Sequence, residues 1–308
     1  MSVRTGVFGV LVFMVLVITG VLAGGISTSA YAQDDGRTKI INPSSVVGEQ
    51  EDQTFIFTTR AGFYSEYIYR GLALYEGTSI QPSGGVFMNL GKLGTLGVST
   101  WMQIPAEDDQ VVVTASNPND GTILDSFKTE QKFFELDTTF SYDYTFDFVT
   151  LSAGHIWYTD PGYGKNTAIV GGEELTLPEV APDTSEIYAG FSLDVPLHPT
   201  FTWYRDYRTI LYNYFSLEFS QAVDIPSLGE GFAVTPFVNF GFADGDIYAR
   251  NGLEHVNVGL ASEIPWGVFT VKPSFVYVFE ADGTSETRGD RAQDNFVFGV
   301  DLSYDFGV

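Results

Sequence analysis

The segment Asn295-Phe296-Val297-Phe298-Gly299-Val300-Asp301-Leu302-Ser303-Tyr304-Asp305-Phe306 decides how the chain is read. Its even positions are all aliphatic or aromatic, whereas its odd positions are mostly polar or glycine. Successive side chains of a strand point to opposite faces, so this pattern predicts a strand with one apolar and one mostly polar face. Any half-buried antiparallel strand would fit it. The surrounding sequence is more specific, because similar segments recur along the chain and their connections alternate between short and long.

Twelve strand-like runs are expected, at 53–70, 79–90, 95–104, 130–144, 148–158, 186–195, 200–206, 210–222, 233–243, 254–263, 268–279 and 295–306. In the fourth, Phe134, Leu136, Phe140 and Tyr142 alternate with Glu135, Asp137, Ser141 and Asp143. The sixth sets Ile187, Ala189, Phe191 and Leu193 against Glu186, Tyr188, Gly190 and Ser192. No helical periodicity of similar length competes. With the first run pointing outward, the inner turns at 91–94, 145–147, 196–199, 224–231 and 264–267 are short and punctuated by Gly or Pro. Most of the alternate connections are longer and rich in Asp, Gly, Asn and Thr. Sorted loops, an even strand number and both ends on one side predict an all-β fold, a transmembrane antiparallel up-and-down β-barrel of about twelve strands. A β-sandwich has no need to sort its loops this way.

Residues 1–32 read as a cleaved secretory signal, with Arg4, an apolar stretch over 7–22 and the small residues of Ala30-Tyr31-Ala32. Residues 33–52 read as a short periplasmic tail, and 53–308 as the barrel. The expected location is therefore a bacterial outer membrane. Beyond the signal, no run of about 18 apolar residues predicts a spanning helix. The exported part holds 14 basic against 39 acidic residues, and the chain has no Cys. That balance excludes a nucleic-acid partner, whose backbone is bound by Lys and Arg. The 26 Phe and 17 Tyr suit strands with aromatic girdles.

If apolar positions face lipid, the opposite faces collect charge in a lumen. Its expected acids include Glu135, Asp137, Glu186, Glu218 and Asp301, and its bases Arg60, Arg70 and Lys272. An acidic water-filled lumen concentrates cations and repels anions. The expected partners are thus outer-membrane lipid and small hydrophilic or cationic solutes, and an oligomer is compatible with the sequence. The 159–185 loop is a candidate for folding inward. No cofactor motif is present. Acidic loop clusters at Glu107-Asp108-Asp109 and Asp244-Gly245-Asp246 suit solvation better than Ca²⁺ capture.

Ser65-Glu66-Tyr67-Ile68-Tyr69-Arg70-Gly71 resembles the S-x-Y-x-x-R-G opening of the TorF-type porin family of Gram-negative outer membranes. Phe134-Glu135-Leu136-Asp137, the run Gly154-His155-Ile156-Trp157-Tyr158-Thr159-Asp160-Pro161-Gly162 and Glu186-Ile187-Tyr188-Ala189-Gly190 look like later strands of that family. The resemblance implies an outer-membrane channel. One departure is the end of the chain, where Phe306 is followed by Gly307 and Val308 rather than closing on an aromatic residue.

Two other classes compete. A barrel hydrolase acting on lipid needs a His beside a Ser nucleophile. His198 lies in an inner turn, while His155 and His255 are expected at the outer rim without a Ser in reach. Glu135 and Asp137 share a face and could imitate a glycosidase pair, but such pairs arise freely in an acidic chain. No catalytic residue is assigned, and the expectation is a non-enzyme. A structural or adhesive barrel is the third class, since the long outer loops could bind a surface partner.

Overall fold

The computed structural model describes residues 54–106, 109–116, 123–131, 134–159, 167–170, 173–176, 183–209, 211–228, 232–244, 251–281 and 294–308. The expected signal and tail, and most of the 159–185 loop, lie outside them. The wall strands are β1 (Phe55–Tyr64), β2 (Ser79–Asn89), β3 (Thr95–Pro105), β4 (Glu135–Phe146), β5 (Val149–Thr159) and β6 (Thr184–Leu193). They continue as β7 (Thr200–Asp206), β8 (Asn213–Ser220), β9 (Ala233–Asp244), β10 (Gly252–Trp266), β11 (Phe269–Glu280) and β12 (Asn295–Gly307). Each pairs antiparallel with its chain neighbour, and β12 returns to β1, from Ile56 opposite Gly307 to Tyr64 opposite Gly299. The result is a closed twelve-strand up-and-down barrel without a free edge.

The register explains the closure. In β12, Val297, Gly299, Asp301 and Ser303 are buried, whereas Phe296 and Phe298 are exposed. Across the ladder, Gly62 pairs with Asp301 and Lys272 pairs with Asp301 on the other side, so inward positions stay in step around the wall. Outward positions present Phe63, Val86, Val98, Phe140, Leu151, Phe191, Phe242, Leu260, Phe275 and Phe298, all exposed. Such a belt far exceeds the apolar patch that a water-soluble monomer displays. Among the described residues no helix is long and apolar enough to cross a membrane.

The connections at the chain-terminal end are short: 90–94, 147–148, 194–199 and 267–268, with 221–232 somewhat longer. Asp147, Leu197, His198, Gly91, Gly94 and Gly267 supply the positive φ values that these reversals use. The N–H of Thr54 donates to Val308 at 3.1 Å, and the N–H of Val308 to Phe55 at 2.9 Å, fastening both ends of the barrel together.

Three expected boundaries change. The run expected at 53–70 is not one strand: β1 stops at Tyr64, and Tyr67–Tyr69 and Leu72–Tyr75 form a separate two-stranded hairpin. The run at 210–222 is cut to Asn213–Ser220, because the Asp206 carboxylate accepts bonds from the N–H groups of Arg208, Thr209 and Leu211 and holds 207–209 and 211–212 out of the strand. The fourth run begins at Glu135, and the loop before it contains a paired hairpin, Asp109–Ser116 with Ile123–Gln131.

Candidate functional site

Ser65 and Glu66 carry the chain out of β1 and into the short hairpin, whose reversal is Arg70-Gly71. Both residues have positive φ, 47° for Arg70 and 79° for Gly71. Paired positive φ values are those of a two-residue hairpin turn, and they suit Gly but strain an arginine. Surrounding contacts therefore have to hold Arg70 in place. All of Tyr67, Ile68, Tyr69, Arg70, Ala73 and Tyr75 are buried, although no barrel strand pairs with them.

The hairpin lies inside the barrel, and its contacts reach most of the way around the wall. Tyr67 donates to Glu135 of β4 at 2.9 Å and packs against Trp101 of β3 with ring centroids 5.5 Å apart. Ile68 and Ala73 join Phe237 of β9, Val276 and Val278 of β11 and Val297 of β12 in one apolar cluster. Gly71 abuts His255 of β10 so closely that a Cβ there would stand 2.8 Å from the imidazole side chain. Arg70 reaches β6, where its Nη1 and Nη2 bind the two carboxylate oxygens of Glu186 at 2.9 Å each. Both partners are almost fully buried.

A tyrosine cage surrounds that pair. The Arg70 guanidinium lies 4.2 Å from the ring centroid of Tyr214, 4.8 Å from those of Tyr69 and Tyr204, and 5.2 Å from that of Tyr212. Glu186 also accepts from Tyr158 at 2.8 Å and from Tyr212 at 3.0 Å. Arg70 and Tyr69 each hydrogen-bond the Tyr212 hydroxyl. Behind the cage, His255 stacks on Tyr214 and shares a 2.9 Å bond with its hydroxyl, while its other nitrogen bonds Asn257 at 3.0 Å. The buried charges are thus bonded as well as paired, the condition under which a buried ion pair persists.

Elsewhere in the interior, Tyr64 donates to Asp301 at 2.9 Å, and Lys272 pairs with Glu263 at 2.8 Å. Aromatic rings lie across inward-facing glycines of neighbouring strands: Phe87 over Gly97, Tyr188 over Gly154, Phe237 over Gly259 and Tyr64 over Gly299. Each ring occupies interior space that a glycine leaves vacant.

Of the charged residues that the sequence singled out, Glu135, Asp137, Glu186, Glu218, Lys272 and Asp301 are buried on strand faces turned inward. Arg60 is half-buried on the inward face of β1. Arg70 departs from its expected position, because it belongs to the hairpin turn rather than to the wall. Glu66 likewise lies in the link, where burial foremost and the Glu76 carboxylate second push its pKa above 4.5. His255 is a correction too: expected at the rim, it is fully buried beside the hairpin turn. His155 faces outward on β5, 2.7 Å from the Tyr207 hydroxyl. His198 sits in the 194–199 turn with φ 34°.

The sequence reading missed the cage tyrosines at 158, 204, 212 and 214 and the Trp101 platform. A signal for the hairpin was present in Arg70-Gly71 flanked by two short β-prone triplets, Tyr67-Ile68-Tyr69 and Leu72-Ala73-Leu74. The acidic clusters at 107–109 and 244–246 lie partly outside the described residues.

No family model matches the sequence, and no curated protein matches it. Among solved structures, the chain is similar to an outer membrane channel from Pseudomonas putida F1, with 11% identity and a TM-score of 0.47 over 90% of this chain and 100% of that one. LpxR from Salmonella typhimurium gives 8% identity and 0.45 over 81% and 99%. OmpT, an outer-membrane protein of Vibrio cholerae, gives 9% and 0.38 over 82% and 97%. Identities and scores this low leave function to be argued from the chain's own residues.

Proposed function

We propose that this chain spans an outer membrane as a porin-like barrel of the TorF type, non-enzymatic, and that it passes small hydrophilic solutes with a preference for cations. The observation that carries the reading is the inversion of the ordinary protein pattern. Apolar side chains cover the outside of a closed barrel, and the inside holds carboxylates. An exterior Arg or Lys at mid-depth would cost about 2–4 kcal/mol, which favours charges inside. The inward-facing carboxylates of the described strands include Glu135, Asp137, Asp143, Glu186, Asp206, Glu218, Glu263, Asp301 and Asp305, against Arg60 and Lys272, with Arg70 added by the hairpin. A lumen of that sign raises the local concentration of cations.

The hairpin from Tyr67 to Tyr75 then acts as a closure. It touches strands on both sides of the lumen and is joined to the wall covalently only through 65–66 and 76–78. A second reading follows from the same observation: a hairpin that never withdraws makes a non-conducting structural or adhesive barrel.

The test is a planar-bilayer measurement under a KCl gradient, with the protein folded as judged by heat-modifiable mobility. Conductance steps with a cation-selective reversal potential are expected. Glu135→Gln with Asp137→Asn should move that potential toward zero. Anion selectivity would overturn the charge assignment, and a folded barrel without steps would favour the second reading.

A further inference from the structure

A single carboxylate would be enough to pin a hairpin turn by charge, yet Arg70 is met by a carboxylate at its Nη end and by rings over its faces. Glu186 takes its guanidinium end-on with two parallel bonds of 2.9 Å, a match to a planar fork that an ammonium cannot make. Aromatic rings cover the faces at 4.2–5.2 Å. Of those four rings, only Tyr69 belongs to the hairpin. Tyr204 and Tyr214 stand on β7 and β8, and Tyr212 is held in the turn between them.

Glu186, Tyr204 and Tyr214 are also fixed by the wall rather than by Arg70. Tyr158 on β5 donates to Glu186, Tyr188 packs against Tyr204 with centroids 5.9 Å apart, and His255 stacks on Tyr214. A site held by its own outer partners is preorganised for a ligand whether or not the hairpin is present.

We propose that the chamber formed by Glu186, Tyr204, Tyr212 and Tyr214 is a guanidinium-binding site, with Arg70 as its tethered occupant. A solute bearing an alkylguanidinium group competes with Arg70 there and frees the hairpin. This rests on the reading of the hairpin as a closure of the lumen. The strained φ of Arg70 fits such an arrangement, since the tethered group is held by the cage and not by its own backbone preference. Tethering gives Arg70 a high effective concentration, so a free competitor must reach a comparable level to displace it.

The Arg70→Ala variant, folded in detergent micelles, is titrated calorimetrically with ethylguanidinium and, at equal ionic strength, with ethylammonium. Saturable ethylguanidinium binding is expected, with ethylammonium at least tenfold weaker and binding lost when Glu186→Gln is added. The wild type should require higher ethylguanidinium concentrations. No saturable binding to Arg70→Ala, or undiminished binding in the double variant, overturns the proposal. Should Arg70→Ala not fold, the wild type supplies the test: hydrogen exchange across 67–75 should rise with ethylguanidinium and not with ethylammonium, and equal effects overturn the proposal. Bilayer conductance separates the two readings. Increased conductance of Arg70→Ala without ligand binding removes the site but keeps the closure. Binding without any change in conductance removes the closure, and with it the release of the hairpin, but keeps the site.

Discussion

Removing the Arg70 side chain tests the latch separately from the wall. In Arg70→Ala the turn keeps its residue count and its positive φ, so backbone strain stays similar while the two 2.9 Å bonds to Glu186 are lost. Deleting one partner of a buried ion pair costs about 3–5 kcal/mol, because the other charge stays behind in a poorly solvated place. The hydroxyls of Tyr158 and Tyr212 continue to donate to Glu186, which moves the cost toward the lower end. Loss of the ring contacts to Tyr204 and Tyr214 moves it upward again. A cost of about 3 kcal/mol corresponds to a roughly hundredfold smaller docking constant, at about 1.4 kcal/mol per factor of ten. The barrel ladder is untouched, so the effect should stay local. Hydrogen–deuterium exchange read by peptide mass reports such local opening. Peptides covering 67–75 should lose roughly hundredfold protection, while those in β12 keep theirs. Unchanged hairpin protection, or an equal loss in both places, would refute the latch.

Three further outcomes follow from the same geometry. Gly71→Val places a branched side chain at φ 79° and against His255, so it should undock the hairpin as Arg70→Ala does, with exchange over 67–75 as the readout. Glu66 has its pKa raised above 4.5 by burial and by Glu76, so the docked state binds the proton more tightly than the released state. Docking is therefore strongest below about pH 4.5 and weakens as pH rises through the raised value; Glu66→Gln should flatten a pH series of hairpin exchange, and an unchanged slope would assign it elsewhere. On the outer face, Phe298→Arg should destabilise the barrel by about 2–4 kcal/mol in urea unfolding from lipid vesicles, whereas a barrel that keeps Phe298 in water would hardly notice the change.

The wall was legible because its signal is local and repeated. In β12 the alternation of Phe296, Phe298 and Val300 with Val297, Gly299 and Asp301 states both the strand and its two faces. Closure could be inferred from the alternation of loop lengths, which depends only on where the runs stop. The hairpin was barely legible for the opposite reason, its two short β-prone triplets being the one local trace of it. Tyr64, Glu66 and Arg70 continue the polar face of β1, interrupted only by Ile68, and period two says nothing about a strand that leaves the sheet. The Arg70-Gly71 turn lacks the Asn-Gly or Asp-Gly pair that usually marks such a reversal. The cage was hidden as well. Tyr158, Glu186, Tyr204 and Tyr214 come from four strands, and only the register of a closed barrel brings them together.

The proposed closure requires a water path through this barrel and a hairpin that obstructs it. Single-channel conductance in a planar bilayer, comparing the wild type with a variant in which residues 66–77 are replaced by a short Gly-Ser turn, tests both requirements. The expected result is a severalfold larger and cation-selective conductance in the variant, with both proteins folded. Equal conductance in the two proteins, or none in either, would contradict the claim.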